Sequence, residues 1–62
     1  MEELRKWRSS CGITQKQAAA SIGVSQTAYS MWENGYRNVS KRKLTTVHRV
    51  TQIPLEQLLS GD

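Results

Sequence analysis

Apolar residues recur along this chain at intervals of three and four positions, and glycines separate the segments that contain them. This spacing is typical of amphipathic helices, and no stretch shows the sustained alternation of apolar and polar residues that indicates a strand. Each glycine follows a segment of helical character, where it can adopt the left-handed conformation that ends a helix. These glycines are Gly12, Gly23, Gly35 and Gly61. The pattern predicts a compact all-α domain of five short helices.

The first predicted helix covers about residues 1–11. Leu4, Trp7 and Cys11 recur on one of its faces, so we expect them to face the core. Cys11 is the only cysteine, which excludes an internal disulfide and a cysteine-based metal cage. Because unpaired cysteine commonly behaves as a small apolar residue, Cys11 is expected to be buried.

The second and third helices are marked by the residues that begin them. Thr14 and Gln17 form a T-x-x-Q capping box, which predicts a helix over about residues 15–22. Ser25 is a favourable N-cap for a helix over about residues 26–34. The turn between these helices is short and contains a glycine, which predicts a sharp crossing of the two.

Pro54 divides the long glycine-free interval after Gly35, because proline cannot continue a helix. Ser40 is suited to cap a fourth helix before the proline, and a short fifth helix follows it. The apolar residues of the two helices are Leu44, Val47 and Val50 in the fourth, and Leu55, Leu58 and Leu59 in the fifth. The whole chain, residues 1–62, is expected to form a single domain.

The third helix has two chemically different faces. At about 100° per residue, Trp32, Tyr29 and Ala28 fall together and are expected to face the core. A solvated helix face usually carries Lys and Glu, whereas amides and hydroxyls can exchange hydrogen bonds with base edges. The opposite arc is formed by Gln26, Thr27, Ser30 and Asn34, with Met31 and Glu33 beside it. This arc predicts a helix that recognises the edges of base pairs.

The charge distribution favours a polyanionic partner. The formal net charge is +4, and all nine Lys and Arg residues lie between Leu4 and Leu55, where Glu33 is the only acid. This excess of positive charge in the central part of the sequence favours binding to nucleic acid or to an anionic membrane surface. The basic residues are dispersed, without a basic amphipathic helix of the membrane-binding kind, so we expect nucleic acid and no membrane partner.

The segment "TQKQAAASIGVSQTAYSMWENG", residues 14–35, resembles the helix-turn-helix of the Cro/cI-type, lambda-repressor-like DNA-binding family. The match extends upstream to Gly12 and Ile13 and downstream to the "LEQLL" of the last helix. The resemblance implies a five-helix DNA-binding domain with its helix-turn-helix at helices 2 and 3. It also implies a sequence-specific transcriptional regulator of double-stranded DNA, most simply a small phage Cro-like repressor.

The resemblance also implies roles for individual residues. Base-reading side chains would be Gln26, Thr27, Ser30 and Met31. Phosphate contacts would come from Gln15, Asn34, Arg37, Asn38 and Lys41. Arg8 and Glu33 would form a structural pair that joins the first helix to the third. The sequence departs from the common pattern at Tyr29, where an aliphatic residue is usual, and at Met31, where a polar reader is usual.

Family members pair on two-fold operators, so we expect a weak homodimer that is strengthened on a palindromic site through the region 54–59. The sequence stops at Asp62, which favours a stand-alone repressor over a repressor with a second, oligomerising domain. A DNA-binding antitoxin or a restriction-modification controller of the same fold is the alternative function. Fold resemblance does not choose between these roles.

Other classes of function have little support in the sequence. Cys11 and His48 are the only cysteine and histidine, and no acid near His48 in the sequence would orient it. We therefore expect no enzymatic activity, no metal, no cofactor and no small-molecule ligand. No apolar run approaches the roughly 20 residues of a membrane span, and the N-terminus does not resemble a secretory signal. The expected location is the cytoplasm of a bacterial host.

Overall fold

The computed structural model describes residues 1–60, and the prediction that Gly61 ends the last helix lies outside the described residues. The described chain is all-helical and contains no strand, which confirms the predicted five-helix fold. A 3₁₀ turn at Lys41–Lys43 precedes the fourth helix. The five helices are α1 Glu2–Cys11, α2 Gln15–Ile22, α3 Gln26–Asn34, α4 Leu44–Thr51 and α5 Leu55–Ser60.

Side-chain caps define where α2 and α3 begin. The Thr14 hydroxyl accepts a hydrogen bond from the Gln17 backbone N–H at 3.1 Å, and the Gln17 side chain accepts one from the Thr14 N–H at 2.9 Å. The Ser25 hydroxyl accepts from the Ala28 N–H at 3.1 Å. Both caps satisfy N–H groups that have no partner inside a helix, which is why the helices start at these residues.

The core is formed by one cluster to which all five helices contribute. Ala18 and Ala19 of α2 are buried, and their small side chains allow α3 to pack closely against α2. Trp7 of α1 packs against the cluster as predicted, from a partly buried position. The largest fully buried side chains are Leu4, Tyr29, Val47 and Leu58.

The prediction that Cys11 is buried is wrong, because its side chain is exposed. Residues 9–12 are all exposed, so the core does not extend beneath the last turn of α1. Cys11 does fall on the same helical face as Leu4, but that face is covered only along the earlier turns.

The limits of α4 also differ from the prediction. Ser40 precedes the 3₁₀ turn without a side-chain capping bond, and α4 begins only at Leu44. The helix ends before Pro54 is reached, because Gln52 adopts a left-handed conformation with φ 66° and its N–H bonds to the His48 carbonyl at 2.8 Å. Pro54 instead lies directly before α5.

Gly23 ends α2 in the left-handed region, with φ 89° and ψ 34°, and its N–H bonds to the Ala19 carbonyl at 2.8 Å. A Cβ at this position would meet only Lys43 Nζ, at 3.7 Å, so the cost of a side chain comes from the backbone conformation and not from a steric clash.

We expect Gly23→Val to lower the free energy of unfolding by at least about 1–2 kcal/mol, because a β-branched residue strains a left-handed backbone. For a domain of this size each kcal/mol corresponds to about 4–8 °C in Tm, which thermal unfolding followed by circular dichroism would measure. Gly23→Asn is the matched control, and its free energy of unfolding should fall by a smaller amount, since asparagine tolerates the left-handed conformation. Equal losses in the two variants would contradict the strain argument.

Candidate nucleic-acid interface

The helix α3 has one side anchored in the core and the other directed outward. Tyr29 is fully buried and Trp32 is 5% exposed. The outward side carries two rows of residues spaced four apart, which lie along one helical face. One row is Gln26, Ser30 and Asn34, and the other is Thr27 and Met31.

A groove of about 400 Å³ follows the first of these rows, and we call it the amide groove. Among the described residues, the side chains of Gln26 and Thr27 make no hydrogen bond, whereas Asn34 Nδ2 donates to the Ser30 hydroxyl at 3.3 Å. None of the described side chains that line it is charged. The lining residues are Gln15, Gln26, Thr27, Ser30, Met31, Asn34 and Tyr36.

A second groove, of about 410 Å³, lies on the other side of Thr27 and Met31, and we call it the basic groove. Three cations, Arg37, Arg42 and Lys43, line it together with Asn38, and no acidic side chain of the described residues does. Its apolar part consists of Val24, Ala28, Met31 and Trp32. The arrangement places positive charge directly beside the neutral, hydrogen-bonding face of α3.

Several of these positions were not predicted from the sequence. Lys41 was assigned to this region, but it lines neither groove, and its neighbours Arg42 and Lys43 line the basic groove instead. The reason is the 3₁₀ turn at Lys41–Lys43, whose tighter period changes the direction of successive side chains. Tyr36 is 80% exposed and lines the amide groove, although nothing in the helical period of α3 extends to it.

A buried carboxylate joins the helices behind this surface. Glu33 is 3% exposed, and Arg8 of α1 binds it through two hydrogen bonds, Nε to Oε2 at 2.7 Å and a terminal nitrogen to Oε1 at 3.1 Å. Gln15, the first residue of α2, donates from Nε2 to Oε1 at 3.0 Å. The carboxylate therefore connects α1, α2 and α3 at one point.

Two further contacts reach the same end of α3. Arg5 lies with Nε 4.0 Å from the Glu33 carboxylate, and its terminal nitrogen donates to Asn34 Oδ1 at 3.4 Å. The Met1 amino group donates to the Trp32 and Glu33 carbonyl oxygens at 2.8 and 2.6 Å. These carbonyls belong to the last turn of α3, where the helix dipole favours a positive charge.

The surroundings of Glu33 shift the ionisation of the whole cluster. Burial by itself raises the pKa of Glu33. The hydrogen bonds from Arg8 and Gln15, together with the nearby Tyr29 hydroxyl, outweigh burial and lower this pKa from 4.5 to about 2. Burial and the neighbouring Glu33 raise the pKa of Tyr29 far above its usual value. The hydrogen bond to Glu33 raises the pKa of Arg8 as well. Glu33 is thus ionised and Arg8 and Tyr29 are protonated at neutral pH.

Other kinds of site find no support in the part of the chain that the structure describes. No group of three or more His, Cys, Asp or Glu side chains there could hold a metal ion. His48, half-buried in α4, contacts the Ile53 carbonyl through Nδ1 at 2.7 Å and so helps hold the turn into α5. None of the described helices combines the length and the apolar character that a bilayer span requires.

The amino-acid sequence of this chain matches a known family. The signature described as "Helix-turn-helix" matches residues 3–58, which is nearly the whole chain. This chain belongs to that family, in its Cro/cI-type branch. The helix-turn-helix unit consists of α2, the turn at Gly23, and α3.

Two curated relatives are transcriptional regulators by name. The HTH-type transcriptional activator BcrR of Enterococcus faecalis is 33% identical over 61 residues, which are 98% of this chain and 30% of that protein. The uncharacterized HTH-type transcriptional regulator YqaE of Bacillus subtilis is 30% identical over 61 residues, 98% of this chain and 53% of that protein. The chain thus spans less than a third of the first relative and about half of the second. No solved structure matches the chain significantly.

We expect the Glu33 cluster to make the helix-turn-helix domain sensitive to acid. The pKa of Glu33 is lower in the folded protein than its usual 4.5, so the stabilisation is complete above about pH 4.5 and is lost as the pH falls toward 2. The loss amounts to about 3 kcal/mol. Urea unfolding of the wild type and of Glu33→Gln between pH 7 and pH 2 should show the two stabilities converging in this window.

Glu2→Gln is the control, because the Glu2 side chain is 62% exposed and its ion pair with Arg5 spans 3.8 Å. Its stability should follow the wild type closely at every pH. A constant difference between the wild type and Glu33→Gln down to pH 2 would contradict a lowered pKa for this carboxyl group.

Proposed function

We propose that this domain binds double-stranded DNA sequence-specifically and thereby regulates transcription, with α3 lying in the major groove. The observation that carries the proposal is the pairing of two surfaces on α3: a neutral, hydrogen-bonding amide groove and a basic groove directly beside it. Base edges in the major groove offer donors and acceptors, and the phosphates that border the groove are anionic. In one orientation of α3, the amide groove can face the base edges while the basic groove faces the phosphates.

Base recognition is assigned to Gln26, Thr27, Ser30 and Met31. Gln26 lies in the first turn of α3, is exposed, and makes no hydrogen bond to any described residue. Its amide is thus free to pair in bidentate fashion with the N6 and N7 atoms of an adenine. Ser30 lies one turn further along the same row, where its hydroxyl already accepts from Asn34.

Phosphate contacts are assigned to the residues around these readers. Arg37 and Asn38 line the basic groove, and Arg42 and Lys43 join them there. Gln15 retains one amide hydrogen beyond the bond to Glu33, and it begins α2, where the helix dipole favours an anion. Asn34, which lines the amide groove, and Lys41, which lines neither groove, are both exposed and complete the assigned set.

The regulatory role we propose is repression, since a protein that occupies an operator excludes other proteins from that DNA. The place of action is the bacterial cytoplasm, where such DNA lies. One relative carries the name of an activator. A reporter whose promoter overlaps the bound site distinguishes repression from activation by the direction in which expression changes.

The test of this function compares Gln26→Ala with Arg37→Ala on a site selected from random duplex DNA. Loss of a base reader should weaken binding to the selected site by about 1–3 kcal/mol and relax the preference at one base pair of each half-site. Loss of a phosphate contact should weaken binding to all sequences equally and reduce the salt slope by about one. Fluorescence anisotropy at several salt concentrations measures both quantities.

Each variant serves as the control for the other, because both side chains are exposed and neither takes part in the core. Equal losses of specific and non-specific affinity in Gln26→Ala would exclude this residue as a reader. If no preferred sequence emerges from the random pool, the proposed function itself is wrong.

We also propose that the domain pairs on DNA through the region 54–59. Of the three leucines of α5, Leu58 is buried to 1% exposure, whereas Leu55 and Leu59 are 42% and 65% exposed. Exposed leucines on so short a helix favour a second apolar surface beyond the core. A homodimer would place two α3 helices about 34 Å apart, one turn of B-DNA.

The expected bound site is therefore an approximate palindrome with half-site centres about ten base pairs apart. Inserting about five base pairs between the half-sites turns one of them to the opposite face of the duplex and should abolish cooperative binding. Insertion of about ten base pairs is the matched control, because it returns both half-sites to the same face of the duplex. Gel-shift titration that gives equal affinity for all three duplexes would mean that the domain binds as independent monomers.

A further inference from the structure

Thr27 and Met31 occupy a distinctive place on α3, because they line both the amide groove and the basic groove. They are four residues apart, so they lie on the same face of the helix, one turn above the other. Within the part of the chain that the structure describes, no other residue lines both grooves. The two side chains therefore form a ridge, which we call the 27/31 ridge, between the neutral surface and the cationic surface.

The exposed chemistry of this ridge is largely apolar. Met31 ends in a thioether and a methyl group, has no hydrogen to donate, and is partly exposed. Thr27 adds a methyl group beside its hydroxyl, and that hydroxyl makes no hydrogen bond to any described residue. An amide at position 31 would have continued the polar surface, whereas methionine interrupts it with a flexible and polarisable group.

The major groove presents one apolar group to a protein, the C5-methyl of thymine, and its other features are hydrogen-bond donors and acceptors. The charge around the ridge orients it toward this groove, since the basic groove draws the phosphate backbone to one side of Met31. The amide groove then faces the neighbouring base edges on the other side.

We infer that the 27/31 ridge, with Met31 as its main contact, recognises the 5-methyl group of a thymine in each half-site. This inference rests on the proposed function and specifies what one of the assigned base readers recognises. The contact is one of shape and apolar burial, not of hydrogen bonding, so it responds to the methyl group and not to the pairing edge of the base.

Removal of the methyl group alone tests the inference. In the duplex selected from the random pool, each thymine is replaced in turn by deoxyuridine, which lacks only the 5-methyl group. At one position per half-site the wild type should lose about three- to tenfold in affinity, which is the scale for burying one methyl group. In Met31→Ala the same replacement should have almost no effect.

Further variants separate loss of the methyl contact from a general loss of stability. Met31→Gln retains the length of the side chain and should also lose the difference between thymine and uracil, whereas Met31→Leu should retain it. Gln26→Ala should bind more weakly but preserve the thymine-to-uracil ratio at that position. Because each variant is compared with itself on two duplexes, a general loss of stability cancels from the ratio.

The outcomes separate this inference from the proposed function. If a preferred sequence emerges and depends on Gln26, but no uracil replacement changes affinity, the domain reads DNA without the ridge contact and the inference is wrong. A thymine-to-uracil ratio that is equal in the wild type and Met31→Ala also overturns it. If no preferred sequence emerges at all, the proposed function is wrong and the inference fails with it.

Discussion

The orientation of α3 depends on one buried ion pair. A carboxylate with 1% of its side-chain surface exposed is costly to desolvate, and Glu33 is stable there because Arg8 and Gln15 supply three hydrogen bonds. Removing one partner would leave a buried charge without compensation, so the geometry of the pair is strongly determined. Because the donors to Glu33 come from α1 and α2, these hydrogen bonds fix the orientation of α3 relative to both helices. The directions of the two grooves on the outer side of α3 depend on that orientation.

The inner side of α3 packs against the rest of the domain, whereas its outer side lines the two grooves. Tyr29, Trp32 and Glu33 hold the helix, and none of them lines the amide groove. The side chains on the outer side contribute little to the packing of the core, because Gln26 and Thr27 are exposed and Met31 is partly exposed. Substitutions on the outer side, which we propose for base recognition, can therefore occur at little cost to folding. This matters in a domain whose core contains few residues. Gln15 is the exception, because it belongs both to the Glu33 cluster and to the amide groove.

The sequence predicted those features that depend on local chemistry. Thr14 with Gln17 and Ser25 revealed the helix starts, because a cap is a contact between residues close in sequence. The separation of Tyr29 and Trp32 from Gln26 followed from the helical period alone. The failures concern long-range packing and non-α backbone: no periodicity shows that the core stops short of Cys11, and the left-handed Gln52 ends α4 without a glycine. The positions of Arg42 and Lys43 along the basic groove were not predicted for the second reason, since a 3₁₀ turn does not have the α-helical period.

The separation of charge on this surface also has a kinetic and thermodynamic meaning. In the function that we propose, affinity for any duplex comes from cations such as Arg37 and Arg42. Their attraction acts over a Debye length of about 10 Å and weakens with salt. In the same proposal, discrimination between sequences comes from the neutral side chains of the amide groove, whose contacts are short-ranged and nearly independent of salt. Because different residues carry the two contributions, added salt should reduce non-specific binding more steeply than it reduces the preference for one sequence over another. On this proposal, the domain moves along DNA through contacts of its basic groove with the phosphates, and it stops where the amide groove and the 27/31 ridge contact matching base edges.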